Sequence, residues 1–137
     1  MKFYVLDLNV LLRYPTKGNG LERIDKLFER AKRGGIRLTM SAVNWGEVLY
    51  NLAKRAGMQA AREALEAVAR FVEPITVSEE DAIEAAVFKH SYKLGYTDCF
   101  AAALAMHSGA RLVTSDAEFI KLDSKLKIPA LPWHMAR

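Results

Sequence analysis

The sequence predicts an α/β domain: a parallel sheet with helices on both faces. Two observations carry the prediction. Short apolar, β-branched runs alternate with segments whose apolar residues recur at helical spacing, the pattern of strands joined by right-handed helical crossovers. The first run, Phe3-Tyr4-Val5-Leu6-Asp7-Leu8-Asn9-Val10-Leu11-Leu12, is apolar on both sides, as a central strand covered on both faces must be. With 137 residues, 51% hydrophobic and 26% charged, the chain has the size of one domain with a substantial core and the composition of a soluble globule.

The elements follow in order. A charged Asp inside a doubly buried strand would cost several kcal/mol if unpaired, so the first strand ends at Asp7 and turns into a helix. Arg13-Tyr14-Pro15-Thr16-Lys17-Gly18-Asn19-Gly20 has the chemistry of a loop. Ile24, Leu27, Phe28 and Ala31 mark an amphipathic helix from Leu21 to Arg33, stopped by Gly34-Gly35. Ile36 to Met40 is a second strand, and Ser41 a helix N-cap. The helix from Ala42 to Arg55 packs through Trp45, Val48, Leu49 and Leu52, while Asn44, Glu47 and Asn51 form a separate stripe. Ala61, Leu65, Val68 and Ala69 mark another helix. Pro74 to Val77 is a third strand, and Ser78-Glu79-Glu80-Asp81 a capping box opening a helix with Ile83, Ala86 and Val87 inward. Thr97 caps the next helix, whose start, Asp98 to Met106, is apolar nearly all round and therefore buried. Arg111 to Thr114 is a fourth strand. A short helix, Ala117 to Leu122, and an edge segment near Ile128 to Pro132 complete the chain.

Charge and cysteine content narrow the function classes. Twenty basic against sixteen acidic residues leave a formal +4, too mild to establish a nucleic-acid partner alone. The single Cys99 excludes an internal disulfide and fits a reducing compartment. Asp7 interrupts the N-terminal run too early for a signal-peptide core, and nothing approaches the roughly 18 apolar residues of a membrane span. The expectation is a cytoplasmic protein.

Asp7 and Asp116 each follow a buried strand. In a parallel sheet the carboxyl ends of strands share one edge, where ligands bind. Asp98 opens the most buried helix, at an end that favours negative charge, and Glu47 lies near the start of the helix after strand two. Each acid has an ordinary alternative: N-cap for Asp7, first-turn acid for Asp98, turn residue for Asp116, solvated glutamate for Glu47. One common edge weakens the four alternatives together. Two carboxylates ~4 Å apart repel by about 4 kcal/mol at an effective dielectric near 20, so a shared cavity calls for raised pKa values or a cation. An oxygen-only set suits Mg²⁺ or Mn²⁺, which activate water and stabilise an in-line phosphoryl displacement. Asn9, Thr114 and Ser115 are placed to orient the acids or bound waters.

Val5-Leu6-Asp7-Leu8-Asn9-Val10-Leu11-Leu12, Ser41-Ala42-Val43-Asn44-Trp45-Gly46-Glu47, Thr97-Asp98-Cys99-Phe100-Ala101-Ala102-Ala103-Leu104-Ala105 and Leu112-Val113-Thr114-Ser115-Asp116, in this order, resemble the PIN-domain ribonucleases, and among them the VapC toxins of toxin–antitoxin pairs. The resemblance spans essentially the whole chain, read as one domain over residues 1–137. It implies a three-layer α/β/α sandwich with a central parallel sheet of four to five strands, and a Mg²⁺- or Mn²⁺-dependent endoribonuclease. It carries the family's acidic quartet onto Asp7, Glu47, Asp98 and Asp116, as catalytic residues and metal ligands, and its polar position after the first acid onto Asn9. Leu8 departs from the small residue usual there. A homodimer and a cognate antitoxin covering the active site are implied as well. RNA phosphates would meet Arg13, Lys17, Lys89 and Lys93, each equally readable as an ordinary solvated charge.

Other residues read as structural. His90 shares the apolar stripe of Ile83, Ala86 and Val87, Cys99 is a small packing residue, His107 and His134 have no partner pattern, and Trp45 and Tyr50 suit core or dimer packing. Trp133 could serve a subunit contact. Rival readings are a haloacid-dehalogenase-like phosphatase, weakened by Asn9 where its second Asp would stand, a receiver domain, which lacks an Asp after the third strand, and a PIN-like binding module without chemistry.

Overall fold

The first strand is central, and its alternate side chains are buried on both faces of the sheet. In the computed structural model, which describes residues 2–13, 21–114 and 130–132, the strands are β1 (Lys2–Leu6), β2 (Ile36–Ser41), β3 (Val72–Ile75), β4 (Arg111–Thr114) and β5 (Ala130–Pro132). They form one parallel sheet in the order β3-β2-β1-β4-β5. Among the described residues six helices lie between the strands: α1 (Leu8–Arg13), α2 (Leu21–Lys32), α3 (Ala42–Ala56), α4 (Met58–Val68), α5 (Glu79–Ser91) and α6 (Tyr96–Ser108). The register sets Tyr4 between Leu38 and Arg111, and Leu6 beside Val113.

Alternation along β1 divides the core. Tyr4 and Leu6 join Leu38, Met40, Val72 and Val113 under Val10, Leu11, Leu27, Phe28 and Val48 from α1, α2 and α3. Val5 and Leu112 face the other layer, built by Ala85 and Phe88 of α5 and by Cys99, Ala101, Ala102 and Ala105 of α6. The alanines let the α6 backbone lie close to the sheet. Phe28 anchors the first layer, its ring centroid 4.7 Å from that of Phe71.

Local chemistry places the helix ends. The Ser41 hydroxyl accepts from Val43 N–H at 3.3 Å, as the expected cap. Ser78 and Asp81 exchange both bonds of the capping box, at 2.9 and 3.1 Å. Gly109, at φ 63°, adopts the left-handed conformation that ends α6, and Ala110 N–H returns to Ala105 O at 3.0 Å.

Several expectations are corrected. Strand β3 lies two residues earlier than Pro74–Val77, and it accommodates Pro74 because it is an edge strand with β2 on one side. Helix α6 starts at Tyr96 behind an N-cap at Gly95, so Thr97 sits inside the first turn and caps nothing. On α5 the inward residues are Ala85 and Phe88, whereas Ala86 and His90 are exposed and Ile83 and Val87 stand 57% and 60% exposed. The flat face of α6 takes small alanines and one aromatic, and the β-branched stripe is left outside. Tyr50 is 61% exposed, with the Lys54 ammonium 5.1 Å from its ring centroid. The helix expected at Ala117 to Leu122, like Trp133 and His134, lies outside the described residues.

Phe28→Ala is expected to lower the free energy of unfolding by about 3–5 kcal/mol, read from urea denaturation.

Candidate functional site

Asp7 is the residue at which β1 becomes α1, and it is 1% exposed. Its N–H donates to Val113 O at 2.9 Å, extending the ladder to β4, and its carbonyl accepts the first helical bond from Val10 N–H at 3.2 Å. Oδ1 accepts from Asn9 N–H at 3.0 Å, an N-cap bond. Oδ2 accepts from the hydroxyl of Thr114, itself fully buried at the end of β4. A cap uses one oxygen; here the other is gripped by a second strand. Both donors are neutral, so they orient the carboxylate without supplying a countercharge.

The second group joins α3 to α6. Asn44, in the first turn of α3, is 1% exposed. Its Nδ2 donates to Glu47 Oε1 and to Thr97 O, each at 3.0 Å, and Asn51 Nδ2 donates to Glu47 O at 2.8 Å. Asn44 therefore links the Glu47 carboxylate to α6, while Asn51 bonds back to its own helix. Asn44 is the residue the sequence reading passed over; its signal was an Asn one turn before a Glu at the start of a helix that follows a buried strand.

Asp98 occupies the third position of α6, next to Thr97. A Cβ at Gly95 would stand 3.1 Å from Asp98 Oδ2, so the glycine leaves the carboxylate its place. Burial, and then the charge of Asp98, push the Cys99 thiol up to about 11, with Lys89 opposing. Cys99 is fully buried in the core, the packing role expected of it.

Because α3 starts where β2 ends and Asn44 ties α3 to α6, the first turn of α6 also lies at the carboxyl edge of the sheet, the edge where Asp7 follows β1 and Thr114 ends β4. Of the remaining expected site residues, Ser115, Asp116 and Lys17 lie outside the described residues, and Arg13 ends α1. Lys93 is exposed. Lys89 donates to Leu94 O at 2.8 Å, pinning the turn between α5 and α6. His107, expected to be without partners, offers a ligand atom within 4.8 Å of Asp81 and Glu84. That trio lies at the opposite end of α6 from Asp98, about 13 Å along the helix. The donors at the sheet edge are oxygens, the set that a hard divalent cation such as Mg²⁺ or Mn²⁺ takes. Among the described residues, the acids near this edge are Asp7, Glu47 and Asp98, whereas the group whose ligand atoms lie within 4.8 Å of one another is Asp81, Glu84 and His107.

The description PIN domain belongs to a family model that matches residues 4–125. Comparison with curated protein sequences finds no match. Among solved structures, the chain is similar to the DNA-bound VapBC of Salmonella typhimurium (20% identity over 97% of this chain and 99% of that one, TM-score 0.76). It is similar to VapBC2 of Rickettsia felis bound to a promoter DNA fragment (18%, 94% and 97%, TM-score 0.74). It is also similar to VapC20 of Mycobacterium tuberculosis, described as a Sarcin-Ricin loop cleaving toxin (17%, 86% and 93%, TM-score 0.65).

Thr114→Val, which keeps the shape but removes the hydroxyl that donates to Asp7 Oδ2, is expected to destabilise the fold by about 1–3 kcal/mol, measured as a lowered urea midpoint.

Proposed function

The chain belongs to the PIN domain family, and on that premise we propose that it is a Mg²⁺- or Mn²⁺-dependent endoribonuclease acting as the toxin of a VapBC-type pair. The observation that carries the proposal is the buried carboxylate of Asp7, held at both oxygens at the sheet edge, by Asn9 N–H and by the Thr114 hydroxyl. The acid-bearing turns of α3 and α6, joined by Asn44, reach the same edge. The similarity to VapBC complexes and to a toxin described as cleaving the Sarcin-Ricin loop supports the substrate and the partner. The family assignment displaces the phosphatase and receiver alternatives.

In this reading Asp7, Asp98 and Asp116 hold the cation, directly or through water, and Glu47 completes the set as ligand or as the base that orients the attacking water. A bound Mg²⁺ or Mn²⁺ lowers the pKa of water and stabilises charge on the phosphoryl oxygens. Water adds to phosphorus in line, its proton passing toward Glu47, and the 3′ oxygen takes up a proton from solvent as its bond to phosphorus breaks. The products are a 5′-phosphate and a 3′-hydroxyl. Asn9 and Thr114 keep Asp7 at a fixed angle, and Ser115 is proposed to act beside them. Arg13, Lys17, Lys89 and Lys93 are the cations proposed to meet RNA phosphates, with Lys89 already anchored to Leu94.

The partners proposed are a cognate antitoxin and a second copy of the chain. The exposed pair Ile83 and Val87 on α5 supports an interface, because adjacent large apolar side chains favour cover. The setting proposed is the cytoplasm; no described helix is long and apolar enough to cross a membrane.

Purified free of partner, the wild type is expected to cleave RNA with Mg²⁺ and to stop on chelation. Asp7→Asn and Asp98→Asn should lose more than the roughly 10–100-fold typical when a residue supporting a metal ligand is removed. Equal cleavage by all three preparations would identify a contaminant and defeat the assignment. RNA binding by the wild type should weaken steeply as salt is raised, as phosphate contacts require; a flat response would remove the basic residues from the interface.

A further inference from the structure

Asn44 carries a second assignment, which rests on the metal-site reading above. A buried amide has two hydrogens to donate and an oxygen to receive. Nδ2 gives both hydrogens away, to Glu47 Oε1 and to the backbone oxygen of Thr97. Both partners are acceptors, so the amide orientation is settled by chemistry: the flipped form would press Oδ1 against two oxygens. Oδ1 is itself buried and has no hydrogen-bond partner among the described residues. An unmet buried acceptor costs about 1–3 kcal/mol, and an apolar side chain at this position would avoid that cost. Packing alone therefore does not account for an amide here, and its two bonds do.

Those bonds span two elements that each carry an acid. Glu47 is three residues on in α3, and Asp98 follows Thr97 directly. Like charges on facing helices push apart, and a neutral double donor can hold one of them in place without adding to the repulsion. We propose that Asn44 is a positioning residue that locks the Glu47 carboxylate to the α6 turn bearing Asp98, so that the two acids present a fixed pair of oxygens to a divalent cation.

The test measures Mn²⁺ affinity by titration calorimetry and melting temperature, on the full chain purified free of partner, for wild type, Asn44→Ala, Glu47→Ala and the double variant. Asn44→Ala is expected to weaken Mn²⁺ binding about tenfold, and to add little further weakening in the Glu47→Ala background, while lowering the melting temperature in both. A merely structural role would move the melting temperature and leave Mn²⁺ affinity alone; that result overturns the assignment, as do losses that add fully in the double variant. Asn44→Ser, which keeps one donor, is expected to fold and show an intermediate affinity, and serves if Asn44→Ala does not fold; wild-type affinity in Asn44→Ser then counts against the assignment. A wild type that binds no Mn²⁺, or binds it unchanged after Asp98→Asn, removes the metal-site reading and this role with it. Binding that needs Asp98 but ignores Asn44 removes this role only.

Discussion

A carboxylate buried at the tip of the central strand is the constraint around which the molecule is arranged. Taking an ion out of water is expensive unless its surroundings answer it, and Asp7 is answered from two directions. A helix that starts at once supplies a backbone donor, and a neighbouring strand supplies a hydroxyl. The parallel topology makes this arrangement attainable. Because β1 has neighbours on both sides, its end is flanked by the ends of β2 and β4, and everything that follows those strands begins near Asp7. Ligand chemistry thereby gathers at an edge that the hydrogen-bond ladder leaves open.

The same topology explains why the helices are unequal in composition. Four of the six buried residues of helix α6 are alanines, and its polar residues stand at its two ends. Helix α3 follows the β2 edge and reaches α6 with a polar stripe beside an apolar one. The contact between them joins two hydrogen-bonded residues where a packed core would have had only methyl groups.

What the sequence disclosed depended on how local the cause was. The end of β1 at Asp7, the Ser41 cap and the Ser78–Asp81 box were legible because each is settled within a few residues by propensity and by the cost of burying charge. The face of α5 was misread: Ile83 and Val87 are strong apolar markers, yet which side of a helix turns inward is decided by the flatness of α6 opposite, a property of another segment. β3 was displaced for a similar reason, since Pro74 punctuates a sequence but is harmless at the rim of a sheet. At the candidate site, the acids stood out as charges where apolar residues belonged. Asn44 did not, because a neutral amide on a helix carries no sign of being buried until its partner 53 positions away is known.

The bond between Thr114 and Asp7 closes a loop of 107 positions. In a chain made from its amino terminus, Asp7 emerges 107 positions before the hydroxyl that steadies it. Until β4 has emerged and slid in beside β1, the first strand has a neighbour on one flank only and its carboxylate is still hydrated. The growing polypeptide is thus without this edge until β4 has been made.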